Sequence, residues 1–178
     1  MSGKKISDLA DELISQFGTR DPFRIASFLD IHIKYIHTKR QKGFCALVLD
    51  EPFIFINQNM SEQMQRMTCA HELGHILLHR DLLDRDRFLL EYELFNIQND
   101  TEYEANVFAA SLLIDENELY ESIQEGNDMV AIASAMNLNV NILMIRIIEM
   151  QKAGSDFHIP FTPDRKFLKT IQDKADSI

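Results

Sequence analysis

His71, Glu72 and His75 form a His-Glu-x-x-His pattern inside the segment Cys69-Ala70-His71-Glu72-Leu73-Gly74-His75-Ile76-Leu77-Leu78-His79. The segment is apolar and helical in character, so at about 3.6 residues per turn positions 71 and 75 leave one face a turn apart. Two imidazoles so placed can grip one zinc ion, and Glu72 beside them can polarise a water at the metal. The plain competing reading is a helix whose histidines are packed or solvated, since short motifs arise by chance. An open zinc site needs at least one more protein ligand while leaving a position for water. Glu102 and Glu104 are the candidates, on a following helix with an apolar stripe of Ala105, Phe108, Ala109, Leu112 and Leu113. They lie two apart and cannot both face one metal. Periodicity does not choose between them.

The chain before the motif reads as scaffold. Ile6, Leu9, Ala10, Leu13, Ile14 and Phe17 share one helical face, which Gly18 ends. Asp21-Pro22 opens a second helix running to about Leu29. From Ile31 to Ile36 the period becomes that of a half-buried strand. Phe44 to Asp50 reads as a second strand, Asp50-Glu51-Pro52 as a turn, and Phe53 to Asn57 as a third strand. A small antiparallel sheet of about three strands is expected. Strand Phe53 to Asn57 could also take an extended substrate by strand addition.

Ser61 caps the motif helix, which runs to about Arg80 with Glu62 in its first turn. Gly74 costs that helix about 1 kcal/mol relative to Ala, so its missing side chain predicts the close approach of another element. His79 points about 80 degrees away from His71 and reads as a supporting residue. Residues 81–100 are rich in charge and suggest an exposed connection, with Asn99 or Asp100 capping the next helix. Asp115 to Glu118 forms a capping box, opening a helix through Glu125 that Gly126 ends. Asp128 caps another helix, and Val140 to Lys152 forms a strongly apolar one. This last pair resembles a helix-turn-helix. Its second helix carries only Arg146 and Lys152 as bases, offset by Glu149, which favours packing or protein docking over DNA binding. The segment from Gly154 reads as an irregular tail.

Composition narrows the function classes. The chain has 178 residues, 46% hydrophobic and 26% charged, which is an ordinary globular profile. A formal charge of −10 argues against a mainly electrostatic hold on nucleic acid or anionic membrane. The two cysteines, Cys45 and Cys69, sit in apolar surroundings and read as buried free thiols in a reducing compartment. No stretch approaches the length of a membrane span, and the start lacks an unbroken apolar leader. A cytoplasmic protein is expected.

The chain resembles the ImmA/IrrE family of zinc metallopeptidases. The resemblance rests on His71-Glu72-Leu73-Gly74-His75 with the trailing Leu77-Leu78-His79. It also rests on a second box, Glu102-x-x-Ala105-Asn106-x-Phe108-Ala109-Ala110-x-Leu112-Leu113. The strand Ile54-Phe55-Ile56-Asn57 and the late helical pair fall in the family's order, so the likeness covers roughly residues 20 to 152. One departure is Ile114-Asp115 where the family commonly has Pro, which touches only a local turn. The resemblance implies an α+β, zincin-like metallopeptidase domain over residues 1–126, then a helix-turn-helix-like pair over 127–153 and a tail over 154–178. It implies His71, His75 and Glu102 as zinc ligands, Glu72 as the base, and Asn106 as a residue orienting a ligand. It further implies a site-specific endopeptidase that cleaves a protein substrate, a helix-turn-helix repressor of a phage or mobile element, with neither nucleic acid nor membrane as partner. Tyr92, Tyr103 and His158 are candidate donors to the oxyanion. The alternative is a non-catalytic module, stabilised by zinc, that binds a regulatory partner.

Overall fold

The computed structural model describes residues 1–83, 89–91 and 100–155. Most of the charged connection, Tyr92, His158 and the tail beyond Ser155 lie outside the described residues. Helix α1 (Gly3–Phe17) buries Ile6, Ala10 and Leu13, and Gly18 ends it with φ 64° and an N–H bonded to the Ile14 carbonyl. That left-handed cap is a conformation glycine adopts without a steric penalty. Helix α2 (Pro22–Phe28) starts as Asp21 and Pro22 dictate, with the Asp21 carboxylate accepting from Phe23 N–H at 3.0 Å.

Strands β1 (His32–Ile36), β2 (Gly43–Val48), β3 (Glu51–Asn57) and the short β4 (Leu89–Glu91) form one sheet in the order β1-β3-β2-β4. The sheet is mixed, not purely antiparallel as expected: β2 runs antiparallel to β3, but β1 runs parallel to it, with Ile33 opposite Ile54. The cause is topological. Strands β1 and β2 do not pair with each other but form a wide hairpin, and β3 fills the gap between them. Asn57 at the end of β3 holds the connecting loop, its amide donating to the carbonyls of Thr38 (3.0 Å) and Gln41 (2.9 Å). Alternating hydrophobicity identifies a strand but carries no direction, so the sequence pattern could not show the parallel pair.

The turn between β2 and β3 also differs from expectation. It comprises Leu49 and Asp50, with φ of 54° and 66°, between the paired residues Val48 and Glu51. This is the left-handed geometry that tight hairpins select. Pro52 therefore lies within β3, one residue before Phe53, where pairing with β1 begins. At that ladder end a missing N–H is tolerated. Because β3 is central, both edges of Phe53 to Asn57 are occupied, and that strand cannot take a substrate by strand addition.

One face of the sheet, including Cys45, Ile54 and Ile56, is buried against helix α3 (Glu62–Leu78). Ser61 caps α3 by accepting from Met64 N–H at 3.3 Å. The other face carries half-buried aromatics, with Phe44 stacked on Phe55 at 4.5 Å. A 3-10 turn, Arg80–Leu82, follows α3. Helix α4 (Asp100–Leu113) packs on α3, and α1 and α7 (Val140–Lys152) pack on α4. Every residue of α4 from Tyr103 to Leu113 is buried, so its side chains are enclosed by protein on all faces.

Helix α5 (Glu116–Gln124) begins at Asp115, whose carboxylate accepts from the N–H groups of Asn117 and Glu118. Helix α6 (Met129–Ala135) begins at Asp128 in the same manner, accepting from Ala131 N–H. Helices α6 and α7 are bent by 109° across the short break between them. Yet α7 is a core element. Ile142 to Ile147 are all buried, and the Arg146 guanidinium lies inside, donating to Ser7 (3.1 Å), Ser111 (2.9 Å) and Glu116 (2.5 Å). Among the described residues no single helix is long and apolar enough to cross a membrane.

Gly74 sits at the crossing of α3 and α4. A Cβ there would lie 3.1 Å from Ala105 Cα, 3.2 Å from the Ala105 carbonyl oxygen and 3.2 Å from a Phe108 ring carbon. The helix defect read from the sequence is thus the point of closest approach. Gly74→Val should push the helices apart, destabilising the fold by about 1–3 kcal/mol and weakening metal binding. Thermal unfolding and a metal titration would check both effects.

Candidate metal centre

The contacts between α3 and α4 run in opposite order along the two helices. His71 meets Asn106, four residues before which Glu102 meets His75. The helices are therefore antiparallel, and two i,i+4 pairs face each other across the seam. Three donor atoms converge there: His71 Nε2 and His75 Nε2 lie 3.0 Å apart, and the Glu102 carboxylate oxygens stand 3.3 Å and 3.4 Å from them. Ligand atoms on a tetrahedral zinc at its usual bond lengths stand about 3.3 Å apart. The side chains present thus leave a hole of the right size for such an ion.

The outer hydrogen bonds set which nitrogens can bind. His71 Nδ1 lies 2.8 Å from the Asn106 side-chain oxygen, an acceptor, so it carries the proton and its Nε2 keeps a lone pair. His75 is set by a longer chain. Its Nδ1 meets His79 Nδ1 at 3.2 Å, and His79 Nε2 meets the Glu104 carboxylate at 2.7 Å. The carboxylate only accepts, so His79 donates from Nε2 and accepts at Nδ1. His75 must then donate from Nδ1 and present its own Nε2 lone pair. Two lone pairs and a carboxylate facing one another repel unless a cation lies between them. The residues present fit a divalent metal.

Burial favours the neutral imidazoles that metal binding requires. It lowers the pKa of His75; contact with Glu102 opposes this and the nearby His71 reinforces it. His79 is pushed down to about 4, by burial first and then by His75. Glu104 also pairs with the α-ammonium of Met1. The structure thus separates the two acids that periodicity left equivalent: Glu102 joins the cluster, and Glu104 lies behind His79. The hint of this in the sequence was the four-residue spacing of His75 and His79, which brings their rings together at the end of α3.

Glu72, next to His71 on α3, is fully buried, and its Oε1 lies 3.6 Å from where a Cβ on Gly43 of β2 would stand. Cys45, read from the sequence as a buried free thiol, is one. Tyr103 lies elsewhere, buried with its hydroxyl donating to Glu149 at 2.6 Å, and this contact removes it as an oxyanion donor.

A metal site that only staples helices has no need of a fully buried carboxylate next to its ligands. The class that this fold and cluster define is a metallopeptidase. Residues 23–148 match the IrrE N-terminal-like domain, and the chain belongs to that family of M78 peptidases. It is 31% identical over 110 residues to uncharacterized immunity region protein 2 of Bacillus phage phi105, covering 61% of this chain and 68% of that protein. It is also 27% identical over 124 residues to metallopeptidase ImmA of Bacillus subtilis strain 168, covering 68% of this chain and 70% of that one.

The hydrogen-bonded chain behind His75 yields a test. Glu104→Gln leaves the shape intact but offers an amide that can donate to His79 and reverse the chain of tautomers. Metal affinity, measured by competition with a chelator, should fall by about 10-fold to 100-fold.

Proposed function

We propose that this protein is a zinc-dependent, site-specific endopeptidase acting in the cytoplasm on a transcriptional repressor of a phage or mobile element. The observation that carries the reading is the convergence of His71, His75 and Glu102, with a fully buried Glu72 next to His71 on the same helix. The names of the two relatives, one from a phage immunity region and one a metallopeptidase, support the choice of substrate class and reaction.

His71, His75 and Glu102 would hold the metal, which would supply Lewis-acid chemistry, acidifying water and polarising a scissile carbonyl. Glu72 accepts the proton released as the peptide carbonyl is attacked. It then delivers that proton to the departing amine nitrogen, which leaves as a neutral amine. Asn106 and the His79–Glu104 pair keep the imidazoles in the tautomers this requires. The complete burial of Glu72 strengthens its electrostatic interactions.

A non-catalytic, zinc-stabilised binding module is the rival. Both readings require zinc, so zinc content does not separate them. Glu72→Gln does. The variant should retain metal at the wild-type stoichiometry while cleavage of helix-turn-helix repressors, followed by mass spectrometry for one discrete cut, falls by at least about 100-fold. Undiminished cleavage by Glu72→Gln overturns the role of Glu72. Tight repressor binding without any product from the wild type favours the binding module.

A further inference from the structure

Positive charge is distributed unevenly along the chain. Residues 31–49 hold four of its 18 lysines and arginines, Lys34, Lys39, Arg40 and Lys42, and none of its 28 acids. In a chain of net charge −10 they form a basic island on an acidic protein. Lys34 stands on β1, and the other three lie in the loop between β1 and β2. Lys34, Lys39 and Arg40 are exposed, and Lys42 is half-buried. Among the described residues none of the four forms an ion pair. The loop is nevertheless held in place. Thr38 Oγ1 accepts from the Gln41 N–H at 3.2 Å, the Asn57 N–H donates to the Lys42 carbonyl at 2.9 Å, and the Asn57 side-chain amide holds the Thr38 and Gln41 carbonyls. The loop cations are thus presented on a fixed backbone.

Strand β1 itself is an edge. Among the described residues no strand pairs with its outer side. The Ile36 carbonyl accepts from the Gln58 N–H at 3.0 Å, so the backbone groups of Ile36, and of Lys34 two before it, turn toward β3. Those of Ile33 and Tyr35 turn outward, because hydrogen-bonding groups alternate in direction along a strand. Such outward groups are a template for a further strand, and a lysine on an edge commonly guards against unwanted pairing. That role accounts for Lys34 but not for three more cations in the loop. The register also ties this edge to the metal centre. Tyr35 is level with Ile56, and Ile56 with Gly43, where a Cβ would lie 3.6 Å from Glu72 Oε1. With strands about 4.8 Å apart, Tyr35 stands about 10 Å from Gly43.

We propose that the outer edge of β1 and the basic loop beyond it form a docking site for an extended, acidic segment of the substrate protein, taken by strand addition. That the occupant is a substrate rests on the peptidase reading given above; the docking itself does not. The outward N–H and C=O groups complement a peptide backbone, and the unpaired cations complement carboxylates. An acidic segment is repelled by the rest of this acidic chain and is thereby steered to the one basic stretch. Nucleic acid fits less well, since it offers no strand to the edge and its phosphates meet the same repulsion over a larger footprint.

Fluorescence anisotropy with a labelled peptide of alternating Glu and Val tests the docking without any turnover. The full chain should bind it at least about 10-fold more tightly than the matching peptide of Gln and Val, and added salt should erase the difference. Lys39→Glu combined with Arg40→Glu should abolish the preference. Tyr35→Pro removes an outward N–H and no bond to β3, so it should weaken both peptides while metal content stays unchanged. No binding, equal binding of the two peptides, a preference that survives the charge reversal, or full binding by Tyr35→Pro overturns the proposal. Displacement of the acidic peptide by a lower concentration of duplex DNA overturns it in favour of a nucleic-acid site. In repressor cleavage the double charge reversal should raise KM by about 10-fold with kcat and metal stoichiometry unchanged. If the peptide binds as expected but the wild type cleaves nothing, the peptidase reading fails and the docking site stands. If cleavage proceeds with the same KM after charge reversal, the docking site fails and the peptidase reading stands.

Discussion

The close approach of α3 and α4 at Gly74 and Ala105 is the constraint on which the rest depends. Helices of ordinary side chains pack with axes about 8–10 Å apart. A missing Cβ at the crossing lets one backbone lie against the other, with only 3.1 Å from the ideal Cβ position to Ala105 Cα. That closeness brings two histidines on one helix within reach of a carboxylate and an amide on the next. Helix α4 is held in turn by α1 and α7. Arg146, Ser7 and Ser111 tie those elements together in the interior, and the Arg146 guanidinium reaches on to the exposed Glu116 of α5. Such a buried charged network adds little net stability over an apolar one, and its value lies in fixing one register.

The sheet supplies the opposite wall. Its central strand, β3, brings Ile54 and Ile56 into the core, and β2 lays Gly43 and Cys45 along the motif helix. The site is therefore a seam between two helices with a strand across its back. Glu72 belongs to α3 beside the ligand His71 and is fully buried, with its Oε1 close to Gly43 of β2.

What could be read from the sequence was what local chemistry decides. Asp21, Ser61, Asp115 and Asp128 cap helices because an oxygen placed just before a helix meets free N–H groups two or three residues on. Gly74 announced the helix crossing, since a glycine inside a helix is costly unless another element needs the space. The features that sequence reading missed depend on chain segments far apart. The parallel pairing of β1 with β3 depends on a third strand entering between two others. The hairpin turn was drawn toward Pro52 because proline favours turns, whereas Leu49 and Asp50 adopt a left-handed geometry that β-hairpin twist imposes on them. Periodicity left Glu102 and Glu104 equivalent, the family resemblance favoured Glu102, and the structure gives the physical reason: His79 takes Glu104.

The metal cluster draws its donors from two separate helices, α3 and α4. By mass action, whatever binds only the docked arrangement stabilises it in proportion to ligand concentration relative to its dissociation constant. The free energy of holding the ion is therefore also free energy of helix docking, and the two are thermodynamically linked. Anything that wedges α3 from α4 will be felt as weaker ion retention, and filling the site will be felt as a stiffer seam far along both helices.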